Sequence, residues 1–220
     1  MDILYQNAAV IVCNKPAGIS SQNGPGDRNV PALLRAATGR TDVFTVHRLD
    51  TGTVGLMVYA KTAAAAAALS RQIADGAFTK EYLCVAHGRP LPDAGEWTDL
   101  LYHDAKKNKT YVVKRQRRGV REARLSYTRL CTSETPWGEG SLLLVRLFTG
   151  RTHQIRAQFA FRGMPLFGDG RYGAKDGLTA QALLAFRLSF TDPETGRPLK
   201  FTLPVPNEAP WALFCAELPD

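Results

Sequence analysis

Much that would announce a familiar chemistry is missing from this chain of 220 residues. Its four cysteines, Cys13, Cys84, Cys131 and Cys215, are far apart and form no Cys-x-x-Cys pair, which argues against a disulfide framework and a zinc site. They read as reduced thiols, mostly buried. No ligand cluster has metal-site spacing, and the Gly-rich run Met164–Gly173 lacks the lysine and spacing of a phosphate-binding loop. Neither a metal nor a cofactor is expected. No apolar run approaches the roughly 20 residues of a membrane-spanning helix, and Met1–Gln6 lacks the basic start of a signal peptide. The expectation is a cytosolic monomer with no membrane partner.

Acidic residues are absent from one further place, the segment between Ala105 and Arg121. There stand Lys106, Lys107, Lys109, Lys114, Arg115, Arg117, Arg118 and Arg121, which account for the whole excess of 28 basic over 20 acidic residues. A concentrated basic strip binds a polyanion by releasing its counterions, and nucleic acid is the commonest such polyanion. On composition alone, a solvated loop that aids solubility is the alternative.

The rest is ordinary for a globular protein, with 45% hydrophobic and 22% charged residues. The length suits a single domain over residues 1–220. Two short strands are expected within Ile3–Cys13 around an Asn turn, followed by a break at Asn14–Gly18. Helices are expected over Val30–Ala37, with Pro31 in the first turn and Gly39 at the end, and from a Thr62 cap to Ala74, with Gly76 just beyond. Thr79–Gly88 reads as a strand. Tyr111–Val113, Arg124–Leu130 and Ser141–Phe148 read as neighbours in one antiparallel sheet. A third helix is expected between a Thr152 cap and Gly163. Ala182–Phe190 and Pro198–Leu203 suit a hairpin, and the tail is expected to dock through Trp211 and Phe214.

Two stretches carry unusual chemistry. His47-Arg48-Leu49-Asp50 packs an imidazole, a guanidinium and a carboxylate into four residues, ahead of a Gly-punctuated turn and an apolar run. That is the pattern of a functional loop held by a rigid strand, although a solvated Arg48–Asp50 ion pair would look the same. The second stretch is Thr149–Gly163, where His153, Arg156 and Ala160 share one helical face. An arginine in the first turns of a helix is unfavourably placed unless a carboxylate or phosphate meets it. Tyr82, on the Thr79–Gly88 strand, is open to packing or chemistry alike.

Together these segments resemble pseudouridine synthases of the RluA type. The matches are Asn14-Lys15-Pro16-Ala17-Gly18; His47–Asp50 with its Thr/Gly turn and Ala60-Lys61; Lys80-Glu81-Tyr82; Gly150–Arg156; Gly168-Asp169 with Tyr172-Gly173; and Leu188-Ser189-Phe190 near Pro193. They follow the family's order over nearly the whole chain. The resemblance implies an α+β fold with a central, largely antiparallel mixed sheet, flanking helices and an RNA-binding cleft. It implies an isomerase that detaches uracil from its ribose in rRNA or tRNA and rejoins it through carbon, with no cofactor. Asp50 would initiate the reaction, Tyr82 would pack on the target base and Arg156 would pair with Asp50. A cation there favours the ionised carboxylate that a nucleophile or base requires. Arg48 would fill the space left by the flipped base, whose unstacking protein contacts must offset.

His47 and Arg151 join Arg48 in the expected RNA-contacting set, and Lys106, Lys107, Lys109, Lys114, Arg115, Arg117 and Arg118 would hold phosphates. Two departures, Val54 where many members have Ser and Leu184 where many have His, bear on substrate preference. The N-terminal S4 domain of larger members is not expected here. The competing reading is a catalytically silent RNA-binding or RNA-folding module on the same scaffold.

Overall fold

The computed structural model describes residues 1–24 and 26–214, so the thiol expected to be buried at Cys215 lies outside the described residues. In chain order the elements are β1 (Asp2–Gln6), β2 (Val10–Lys15), α1 (Val30–Thr38), β3 (Phe44–Thr45), β4 (Val54–Ala60), α2 (Ala63–Ala74), β5 (Thr79–His87), β6 (Ala94–Asp104), β7 (Lys109–Val113), β8 (Val120–Thr135), β9 (Gly138–Leu147), α3 (Gln154–Phe161), β10 (Leu183–Thr191) and β11 (Pro198–Thr202). Short 3-10 turns occupy Gly170–Tyr172 and Trp211–Leu213. The class is α+β, as the resemblance implied. The chain divides into two compact units, residues 1–81 with 184–204, and residues 82–183 with 205–220.

In the first unit the strands run in the order β1-β2-β4-β10, with β11 on β10 and β3 on β4. All these pairs are antiparallel except β4 with β10. Asn7 turns the first hairpin, its Oδ1 accepting the N–H groups of Ala9 and Val10 at 2.9 Å each. Gly55 has φ +116°, and a Cβ there would meet the carbonyl oxygen of Ala185 at 2.4 Å, so only glycine lets β4 approach β10. The helix ends follow the local signals. Asn29 accepts from Ala32 N–H, Thr62 accepts from Ala65 N–H, and Gly39 closes α1 in the left-handed region.

In the second unit the order is β5-β9-β8-β6-β7, with β9, β8, β6 and β7 antiparallel in turn. The strand expected over Arg124–Leu130 is much longer, because β8 continues through an irregularity between Arg129 and Cys131 and stays paired with β9 to Thr135. Phe159 of α3 packs on Trp97 and Tyr127, with ring centroids 4.7 and 6.4 Å away, and this aromatic cluster seats the helix. Trp211 and Phe214 are both buried.

The expected Thr152 cap is not formed. His153 holds the cap position with φ +54° and no side-chain cap bond. The turn is closed instead by Gln154, whose Oε1 accepts from Arg151 N–H at 3.0 Å and from the Thr149 hydroxyl at 2.8 Å. A tertiary side-chain network thus takes over what a local cap does elsewhere.

Candidate active site

In the first unit the chain around Asp50 is held on three sides. Thr53 N–H donates to the Asp50 carbonyl at 3.0 Å, closing a tight turn, and Gly18 N–H donates to the Thr51 carbonyl at 2.8 Å. Beneath it lies Lys15, fully buried. Its Nζ donates to the carbonyls of Pro16 at 2.8 Å, Thr51 at 3.1 Å and Thr53 at 2.8 Å. Burial lowers the Lys15 pKa to about 8, and the negative charge of Asp50 acts in the opposite sense. Ahead of the turn, the Ser21 hydroxyl donates to the Leu49 carbonyl at 2.7 Å and accepts its N–H at 3.2 Å. Tyr59 fixes Ser21 in turn, donating to its carbonyl at 2.7 Å. The buried Leu49 side chain anchors the same segment.

His47 is a cross-tie. Its Nε2 accepts the N–H of Val58 on β4 at 3.1 Å, which places the ring proton on Nδ1. The ring lies 5.4 Å from Phe78. Burial, helped by the charge of Lys80, lowers its pKa to about 3, so the imidazole is neutral at working pH. A neutral ring aimed at backbone positions the loop and offers no charge to a phosphate. Arg48 is exposed and Asp50 half-buried.

In the second unit Arg156 and Asp169 form a buried bidentate pair, Nε to Oδ2 at 2.7 Å and Nη2 to Oδ1 at 2.8 Å. This is a carboxylate that meets an arginine otherwise poorly placed at the head of a helix. Gly168 makes the turn possible: its φ is +73°, and a Cβ would stand 1.9 Å from the Ala180 carbonyl oxygen. The Asp169 carbonyl accepts from Tyr172 N–H at 2.9 Å, and the Arg156 guanidinium lies 5.0 Å from the Tyr172 ring. Tyr82, the fourth residue of β5, is 5% exposed. Arg151 is at the surface, its Nε donating to the Glu122 carbonyl at 2.8 Å.

The basic strip is a built structure. Lys106 and Lys107 sit in the β6–β7 turn, where both their N–H groups donate to Asp104 Oδ1, at 3.0 and 3.1 Å. Lys114, Arg115, Arg117 and Arg118 sit in the β7–β8 turn, and Arg117 stacks 4.9 Å from the Tyr102 ring. All six are exposed, whereas Lys109 is half-buried and lies 5.2 Å from the Tyr172 ring. The two cationic turns are separated by the length of β7, roughly 17 Å.

Three residues gain a part that their motifs had not assigned. Lys15, Asp169 and Tyr172 all lay within matched motifs, but nothing in the letters said that the lysine is buried or that the aspartate pairs with Arg156. Ser21 had no sequence signal at all. A half-buried carboxylate on a rigid turn, with a buried ammonium beneath that turn, can act as nucleophile or base without a metal. Among the described residues, no group of three His, Cys, Asp or Glu could hold one.

Residues 9–161 match the family model of the RNA pseudouridylate synthases, isomerases that act on RNA. The chain belongs to this family and is of its RluA type. It is 31% identical over 219 residues to the uncharacterized RNA pseudouridine synthase YlyB of Bacillus subtilis (strain 168), covering 94% of this chain and 70% of that one. It is 34% identical over 231 residues to the ribosomal large subunit pseudouridine synthase D of Vibrio cholerae serotype O1, covering 94% and 68%. Among solved structures, human RNA pseudouridylate synthase domain containing 1 superposes with a TM-score of 0.78 at 22% identity, covering 92% of this chain and 82% of that one, which shows a shared fold. Among the described residues, no helix is long and apolar enough to cross a membrane.

Proposed function

We propose that this pseudouridine synthase isomerises specific uridines in structured ribosomal or transfer RNA, with Asp50 as its catalytic carboxylate. The observation that carries this is the Asp50 turn, clamped through the Thr51 and Thr53 carbonyls by a buried lysine. Such a clamp fixes a reacting group to within the tolerance that catalysis demands. The names of the large-subunit relatives support ribosomal RNA as the first substrate to examine. Tyr82 is assigned to the target base, Arg156 to the charge balance of the carboxylate, and Arg48 to the gap left by the flipped uridine. His47 serves indirectly, by holding the loop to β4. Arg151 and the cations of the basic strip are assigned to the RNA backbone, as the exposure of all of them except the half-buried Lys109 supports.

On this reading residues 1–220 act as one catalytic domain, supported by a family match that runs through both compact units. The protein works as a cytosolic monomer, a reading in keeping with the buried free thiols Cys13 and Cys84. The test is Asp50→Ala. It is expected to leave melting temperature and RNA affinity close to wild type while pseudouridine formation disappears. Turnover surviving in that variant would sink the assignment, and a wild-type protein that binds RNA without turnover would establish the silent module instead. Deleting the gene and mapping pseudouridine across ribosomal and transfer RNA then identifies the position that is lost.

A further inference from the structure

The 3-10 turn Gly170–Tyr172 does more than follow the Asp169 carboxylate. Tyr172 is 9% exposed, and its hydroxyl accepts the N–H of Thr110 on β7 at 2.8 Å. The same oxygen stands 3.0 Å from His153 Nδ1 at the head of α3. The Thr110 hydroxyl donates to the Thr152 carbonyl at 2.8 Å, beside that helix start. The neighbouring Arg171 grips the basic turn itself, its Nη1 lying 3.1 Å from the Lys107 carbonyl oxygen and 3.4 Å from that of Asn108. On the inner side, Tyr172 N–H is bonded to Asp169, which holds the Arg156 guanidinium through two short bonds. The Tyr172 ring lies about equally far from two cations, 5.0 Å from Arg156 and 5.2 Å from Lys109 of the strip.

Each joint in this series is a directed hydrogen bond or a ring contact inside one compact unit. Movement of β7 therefore reaches Arg156 through Tyr172, alongside the direct bond from Thr110 to the Thr152 carbonyl. Neither the family match nor the Asp50 reading requires such a link.

We propose that Tyr172 is a positioning residue that locks the basic β6–β7 hairpin to the Arg156–Asp169 pair, so that phosphates held by the hairpin set where the Arg156 guanidinium stands. The proposal rests on the reading that the strip holds RNA phosphates and that Arg156 serves the reaction.

Tyr172→Phe tests it, because the ring beside both cations stays and only the hydroxyl is removed. The probe is total RNA from a strain lacking the gene, with single-turnover rates taken at saturating enzyme and affinity read by filter retention. The saturating rate is expected to fall about five- to tenfold, the scale of one hydrogen bond, with affinity changed less than about twofold. Tyr172→Leu, which also removes the ring, is expected to slow the reaction further. In a cycle with Lys106→Ala/Lys107→Ala, the two effects are expected to combine to less than their product, since both cut the same link.

Rates are compared at a temperature where circular dichroism shows every variant folded, so a lower melting temperature leaves the outcome readable. A saturating rate unchanged in Tyr172→Phe, or effects that multiply fully, overturns the proposal. A wild-type protein that forms no pseudouridine overturns the underlying reading, and this inference with it.

Discussion

Replacing Lys15 with methionine removes a buried ammonium while keeping most of its apolar stem, and two effects on stability then oppose one another. Burial lowers the lysine pKa from 10.5 to about 8, so ionised Lys15 costs the native state on the order of 3 kcal/mol, and its removal returns that. Against this, the carbonyls of Pro16 and Thr53 lose their Lys15 donor, at about 1–3 kcal/mol each. Thr51 keeps the Gly18 N–H. The terms nearly cancel, so the melting temperature is expected to move only a few degrees, at about 2–4 °C per kcal/mol for a chain of this size.

Activity has no such compensation. The turn bearing Asp50 loses its clamp, and a misplacement of about 1 Å at a reacting group costs roughly a hundredfold in rate. A pH series separates clamp from bystander. In the wild type Lys15 loses its proton near pH 8, so the rate is expected to fall above that point. Stability is expected to rise over the same interval, because between about 8 and 10.5 the unfolded chain binds more protons than the native one. The Lys15→Met protein lacks both limbs. The rate is read by tritium release from 5-tritiated uridine in RNA, and stability by thermal melting at each pH. An alkaline fall in rate that persists in Lys15→Met refutes the reasoning, as does a variant that melts far below the wild type at neutral pH.

Asp169→Asn keeps the shape of the buried pair but removes the carboxylate charge that Arg156 meets there, and is expected to cost on the order of 3 kcal/mol, read from the denaturant midpoint. His47 has a native pKa of about 3 against an ordinary 6.5. The unfolded chain therefore binds more protons between those values, and stability is lost as pH falls through them. His47→Gln keeps an acceptor for Val58 N–H and is expected to flatten that acid limb in melting curves. Replacing Lys114, Arg115, Arg117 and Arg118 with glutamine is expected to lower the slope of log affinity against log salt by roughly 0.7–0.9 for each phosphate the protein no longer neutralises.

Local chemistry was legible wherever a residue acts on its own neighbours. The Thr62 cap, the Gly39 end of α1 and the Asn7 turn all stand where their residue types put them, since each depends on contacts a few residues apart. The start of α3 was not legible, because His153 takes a left-handed backbone within a network in which its ring meets Tyr172 and Gln154 closes the turn. Lys15 was visible as a motif letter but not as a buried cation. Lysine is almost never fully buried, and the three carbonyls that receive it come from Pro16, Thr51 and Thr53. Asp50 and Arg156 stood out by their local chemistry, and motif order gave them and Tyr82 their roles. What distance along the chain concealed was the support around them: Ser21 under Leu49, and Asp169 against Arg156.

The turn at Lys106 and Lys107 carries a thermodynamic consequence. Both backbone amides already end on Asp104, Arg171 already holds the carbonyls of Lys107 and Asn108, and Asn108 is already in the left-handed region. A loose cationic loop would have to fold onto RNA, and its association would show the large negative heat-capacity change of coupled folding. A hairpin built beforehand leaves the entropy of released ions unspent on ordering chain. Calorimetry across temperatures would then give a nearly constant binding enthalpy, and this protein's hold on RNA would be governed by ionic strength far more than by heat.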